Sequence, residues 1–155
     1  MNKQQLDRVI DKAKAVCAQS GGRLTEKRRG ILELLLVSSR PLSAYEITDA
    51  YNKGAEKPMP AMSVYRILEF LEAEELVHKL SSTSKYLACS HISCEHEHEI
   101  SQFLICSKCQ SAKEISISKE IINELGKLIG EAGYALSNPQ LELKCLCKSC
   151  SSNAA

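Results

Sequence analysis

The chain has 155 residues, 44% of them hydrophobic, and a net charge of +1. That length suits one domain or two small ones, and that composition predicts a packed core. No apolar run approaches the roughly 20 residues of a membrane helix, and the start, "MNKQQLDRVIDKAK", lacks a signal-peptide core, so a cytoplasmic protein without a membrane partner is expected.

The charge is uneven. Residues 1–85 carry 14 Lys/Arg against 11 Asp/Glu, and the remainder 6 against 8. Seven of the eight cysteines and all four histidines follow residue 77. The chain therefore divides into a basic, cysteine-poor first half and a ligand-rich second half. In a reducing compartment, clustered cysteines read as metal ligands before they read as disulfides.

In chain order, Leu6, Val9, Ile10, Ala13, Val16 and Cys17 keep helical spacing and predict an amphipathic first helix that "SGG" stops. Thr25 caps a second helix, "EKRRGILELLLVSS", with Ile31, Leu32, Leu35 and Leu36 as its apolar stripe. Ser43 and Glu46 form a capping box that opens a third helix. "GAEKPMP" is a loop, and Pro60 suits the first turn of a fourth helix over 61–76.

The fourth helix carries the first functional signal. Val64, Ile67, Leu68 and Leu71 share one face, so at about 100° per residue Met62 and Arg66 point away from it and Tyr65 sits on the flank. An exposed Arg can bond the O6 and N7 of guanine, and apolar groups can meet a thymine methyl. A solvated helix face is the plain alternative. The next segment, "LVHKLSSTSKYLA", reads as two short strands around a polar turn. Three helices and a hairpin in that order make a winged helix-turn-helix, which favours DNA.

The second half opens with "CSHISCEHEHEISQFLICSKC" and closes with "KCLCKSC". Cys106 with Cys109, and Cys147 with Cys150, are two C-x-x-C knuckles. Together they supply four thiolates, the set of a closed tetrahedral zinc site. Cys145 is a competing ligand, placed outside because the knuckle pairs 147 with 150. His78, Cys89, His91, Cys94, His96, His98 and Glu114 remain. They can form a second, mixed site that ties several elements together, or the "HEHE" run can be a surface loop with adventitious metal affinity. A zinc hydrolase would need an open coordination position, and neither H-E-x-x-H nor a deaminase P-C-x-x-C is present. A zinc-ribbon interaction module is the other rival.

"RLTEKRRGILELL", "LSAYEI", "SVYRILEFLEAEELVHKL", "YLAC", "FLICSKCQSAKEI" and "CLCKSC" together resemble the ferric uptake regulator family, and its zinc-uptake branch fits best. The resemblance spans nearly the whole chain. It implies an α+β architecture: an N-terminal winged helix-turn-helix over 1–84, a hinge at 85–90, and a C-terminal α/β dimerisation and metal-binding domain over 91–155. It implies a homodimer that represses transcription by binding inverted-repeat operators of zinc uptake and homeostasis genes when loaded with zinc. Two zinc ions per chain are implied. Cys106, Cys109, Cys147 and Cys150 correspond to the structural site. His78, Cys89, His98 and Glu114 correspond to the regulatory one, with His96 a neighbour that can exchange with His98. His91 and Cys94 match no family position. Tyr65 and Arg66, beside Ser63, are the expected DNA readers; Arg23, Lys27, Arg28 and Lys85 are expected at phosphates. A family member sensing iron, manganese or nickel is the rival within the class. The thiolate of Cys89 opposes it, because a ferrous sensor suits nitrogen and oxygen ligands.

Overall fold

The computed structural model describes residues 1–93 and 100–152, and the chain forms two compact units divided between residues 94 and 95. Cys94, His96 and His98 lie outside the described residues.

The first unit begins with α1 (Lys3–Gln19), whose N-cap Asn2 forms a reciprocal capping box with Gln5. It ends in a left-handed Gly21, φ +80°, with the Gly22 amide bonded to the Cys17 carbonyl at 2.7 Å. That closure satisfies carbonyls which the last helical turn leaves open, and glycine adopts the required φ without strain. Thr25 caps α2 (Glu26–Val37). Ser43 and Glu46 form the expected capping box of α3 (Ala44–Lys53). Pro60 is the N-cap of α4 (Ala61–Ala73), one position before the expected first turn.

The fourth helix stops three residues short of the expected end. Glu75 adopts φ 56°, its amide bonds the Glu72 carbonyl, and the Leu76 amide bonds that of Leu71. This turn releases Leu76 and Val77 into the core. β2 (Val77–Leu80) and β3 (Lys85–Ala88) form the hairpin, with His78 opposite Leu87. A two-residue strand, β1 (Leu42–Ser43), adds to the other side of β3, giving the order β1-β3-β2.

Lys85–Ala88 is thus a strand of the wing, bonded on both sides, and the first unit continues past it. The expected boundary at 84 and the hinge over 85–90 overlap this strand. Antiparallel pairing needs both arms of the hairpin, so the second arm goes with the first, as the two-strand reading of "LVHKLSSTSKYLA" already has it. Behind the sheet, one apolar cluster joins Ile10, Ala13, Ile31, Leu32, Ile47, Val64, Leu68, Leu71 and Val77, and extends to Cys89 and Ile92.

The second unit is built on β4 (Ser101–Cys106), β5 (Ala112–Ser116), α5 (Lys119–Glu131), β6 (Glu142–Cys145) and the short α6 (Lys148–Ser152). The sheet order is β5-β4-β6. β5 is antiparallel to β4; β6 is parallel to it, and the crossover runs through α5. Parallel strands require such a long connection. Gln102 is fully buried, its Nε2 donates to the Pro139 carbonyl at 2.9 Å, and its Oε1 accepts from the Leu141 amide. A buried amide satisfied on both ends ties the returning chain to β4. That pairing sets Cys106 beside Cys145 and brings the closing "CLCKSC" against the first knuckle.

Candidate functional site

The parallel register positions four sulfurs. Beyond β4 the chain turns at Cys106–Gln110, where the Gln110 amide bonds the Cys106 carbonyl at 2.9 Å and Gln110 takes φ 61°. Beyond β6 the chain enters α6, with the Cys150 amide on the Cys147 carbonyl at 3.0 Å. The Ser107 amide bonds the Cys145 carbonyl at 2.9 Å, which locks one turn to the other. One sulfur from each of Cys106, Cys109, Cys147 and Cys150 lies within 4.8 Å of the others. Four thiolates at that spacing match tetrahedral zinc, which takes sulfur at about 2.3 Å.

The backbone prepares these sulfurs for a cation. Amide groups of Cys109, then Cys147, point at Cys106 and hold its thiol down to about 6. The Cys147 amide reaches the Cys106 sulfur at 3.4 Å. The hydroxyl of Ser111, 3.1 Å from the Cys109 sulfur, lowers Cys109. Cys150 goes the other way, to about 12, mainly because Cys147 is beside it. Crowded thiolates repel, so the last proton stays until a dication supplies the missing charge. Cys145 is half-buried on β6 and outside this group.

His78 and Glu114 lie on strands, and Cys89 directly follows one. His78 lies on β2 with a buried Nε2. Cys89 follows β3, is 2% exposed, and its amide bonds the Leu76 carbonyl at 3.0 Å. A ligand nitrogen of His78 and the Cys89 sulfur lie within 4.8 Å of each other. In the second unit, Glu114 is buried on β5 opposite Phe103, and Ser101 Oγ donates to its Oε1. An imidazole, a thiol and a carboxylate are donor types that a mixed zinc site uses. His91 follows Cys89, and its amide approaches the Cys89 sulfur at 3.4 Å.

On α4, Val64, Leu68 and Leu71 are fully buried and Ile67 packs against the same cluster. Met62 is 65% exposed, Arg66 is exposed, and Tyr65 and Ser63 are half-buried. The helix phase read from the sequence therefore holds. Sequence reasoning missed Tyr45, which is 67% exposed in the first turn of α3 and meets Tyr65 edge-on, with ring centroids 6.4 Å apart. The signal was available: Ser43 as N-cap sets the phase of α3, and Ala44 and Ile47 take the inward positions.

The basic residues differ among themselves. Arg23 and Lys27 are exposed. Lys85 is 3.7 Å from the Glu46 carboxylate, which also takes Arg40 at 2.8 Å. Lys85 is therefore part of an ion-pair group joining the wing to α3. Arg28 is half-buried and folded onto its own unit.

Comparison with known proteins agrees with this architecture. Residues 19–144 match the Ferric uptake regulator family. The zinc uptake regulation protein of Escherichia coli (strain K12) is 31% identical over 150 residues, covering 97% of this chain and 85% of that protein. A zinc uptake regulator solved in complex with zinc and DNA superposes with a TM-score of 0.81 at 29% identity, covering 96% of each chain. The holo form of XcZur superposes with a TM-score of 0.75 at 31% identity, covering 92% of this chain and 96% of that one.

Proposed function

This chain belongs to the ferric uptake regulator family, and from that premise we propose that it is a zinc-responsive transcriptional repressor. It acts as a homodimer on double-stranded operator DNA, and zinc is its metal. It works in the cytoplasm and catalyses no reaction; among the described residues no helix is long and apolar enough to cross a membrane. The targets are inverted-repeat operators of zinc uptake and homeostasis genes.

One observation carries the reading: the half-buried imidazole of His78 beside the buried thiol of Cys89, at the wing of the DNA-reading unit. A thiolate in the set favours zinc over ferrous iron. Its place in the wing couples metal to DNA. Two ligands do not complete a tetrahedral zinc site, so this pair needs others. We assign Glu114 and His98 as those ligands, with His96 able to exchange with His98; both histidines lie outside the described residues. Two neutral imidazoles, a thiolate and a carboxylate leave a neutral site around Zn²⁺. The four-thiolate site holds the second zinc and is structural. Each chain then carries two zinc ions.

Zinc bound by ligands from both units restricts their mutual freedom, with the segment after the wing acting as the hinge. Two recognition helices of a dimer then meet successive major grooves, about one helical turn or a multiple apart. A shift from mostly incompetent to mostly competent needs roughly 5.5 kcal/mol of differential zinc binding. Arg66 and Tyr65 read base edges, Ser63 and Arg23 anchor the backbone, and Lys27 adds to the local positive field. The test is operator binding against buffered free zinc, with ferrous iron and manganese in parallel. Zinc-dependent binding to a specific operator is expected; equal activation by iron would reject zinc sensing.

A further inference from the structure

Arg28 and Arg23 are close in sequence, and a basic residue near a recognition helix invites one role for both. Their environments are opposite. Arg23 is exposed. Arg28 has its guanidinium carbon 3.4 Å from the centroid of the Phe70 ring, and its Nη1 donates to the Arg23 carbonyl at 2.6 Å. Phe70 belongs to α4, the same helix that presents Tyr65 and Arg66.

The loop between α1 and α2 is pressed onto that end of α4 by two further contacts. Ser20 Oγ donates to Glu74 Oε2 at 2.6 Å. Gly22 lies so close that an added Cβ would stand 3.2 Å from the Phe70 ring and 3.1 Å from the Glu74 carboxylate. The loop is thus held through Ser20, Gly22 and the Arg23 carbonyl, while the Arg23 side chain stays exposed. Arg28 joins two of these elements at once: one face of its plane covers Phe70, and one edge holds the Arg23 carbonyl. A planar guanidinium can stack and donate together, whereas a lysine ammonium has neither the plane nor the fork.

Resting on the DNA-binding reading above, we propose that Arg28 is a positioning residue: it fixes the backbone of Arg23 relative to the recognition helix, and Arg23 alone makes the phosphate contact.

The test uses the full zinc-loaded protein on a specific operator, with affinity measured across a salt series. Each phosphate contact contributes about one to the slope of log K against log salt. Arg23→Ala lowers that slope by about one and leaves sequence preference unchanged. Arg28→Lys keeps the charge but loses the joint geometry, so it also lowers the slope by about one and weakens binding by about tenfold. Phe70→Leu, which alters no charge, shifts the slope the same way. The double variant Arg23→Ala with Arg28→Lys matches Arg23→Ala alone. Zinc content and thermal midpoint of each variant establish that it is folded. A wild-type slope for Arg28→Lys, or a drop of about two in Arg23→Ala with Arg28→Ala, overturns the proposal and makes Arg28 a phosphate ligand. If the unaltered protein binds no operator with zinc, the functional reading falls, and this inference with it.

Discussion

The two units stay folded for different reasons. The first has a contiguous apolar core drawn from four helices and the wing. In the second, the described buried apolar side chains are Phe103, Ile105, Cys106 and Ile122, and Gln102 and Glu114 occupy buried positions too. So small a core gives limited hydrophobic stabilisation. On the proposed reading, a four-thiolate zinc clasp supplies what is missing, because in small metal-held units binding free energy is folding free energy. The ligand sets differ in the same sense. Cys106, Cys109, Cys147 and Cys150 are complete within one unit. Among the described residues of the first unit, His78 and Cys89 bring two ligand atoms together. On the proposed reading, the complete set holds the structural zinc, and the pair, joined by further ligands, is the sensor.

Cys147→Ser should break this contrast most severely. Structural zinc in finger-like peptides is worth about 10–16 kcal/mol at neutral pH, more than a small unit has in reserve. Hydrogen exchange should show lost protection over residues 101–116 and 142–152 and retained protection over 31–35 and 64–71. The oligomer mass should fall to that of a monomer. Equal loss in both units would mean that the first also depends on the clasp.

Cys89→Ser should be milder in fold and as damaging in function. The clasp is intact, so the protein should remain folded and dimeric with about one zinc per chain. A neutral hydroxyl is a poor zinc ligand, so zinc-dependent operator binding should be lost. Zinc analysis beside operator affinity checks this. Normal zinc-dependent binding by the variant would remove Cys89 from the sensor.

Arg66→Ala tests the reading face without touching either metal set. Losing one bidentate base contact costs about 1–3 kcal/mol, roughly 5- to 150-fold in specific affinity. Binding to unrelated DNA and the zinc content should not change. Unchanged discrimination between operators would show that another face of the unit reads DNA.

The smallest effect concerns the charge group that joins α3 to the wing. The Ser43 amide first, then Arg40 and Lys85, hold the Glu46 carboxyl at about 2 against an ordinary 4.5. A depressed carboxyl stabilises the fold above its unfolded pKa, and the benefit fades as pH falls from about 4.5 toward 2. Glu46→Gln should lower the thermal midpoint of the first unit by roughly 2–5 °C at pH 7, since its partners are partly solvated. The gap between variant and parent should narrow below about pH 4.5 and close only near pH 2. A gap that persists there would assign the effect to the amide's packing.

Some of this molecule was readable without coordinates. Thr25, Ser43 and Glu46 announce helix starts because capping is a contact between residues three apart. The phase of α4 follows from Val64, Leu68 and Leu71, because helical geometry repeats whatever surrounds it. Two C-x-x-C knuckles declare a four-thiolate set, because few other uses need that chemistry twice. The rest depends on residues far apart in the chain. The end of α4 at Ala73 is set by a left-handed Glu75 that sends Leu76 into the core, and no local propensity marks Glu for that role. β1 exists only because β3 has a second edge to fill. Arg28 and Arg23 look alike as letters, and only the Phe70 ring distinguishes them. Lys85 was an open positive charge until the fold placed Glu46 beside it. Local rules act over three or four residues and are written in the sequence; partners supplied by another element are chosen only when packing brings the elements together.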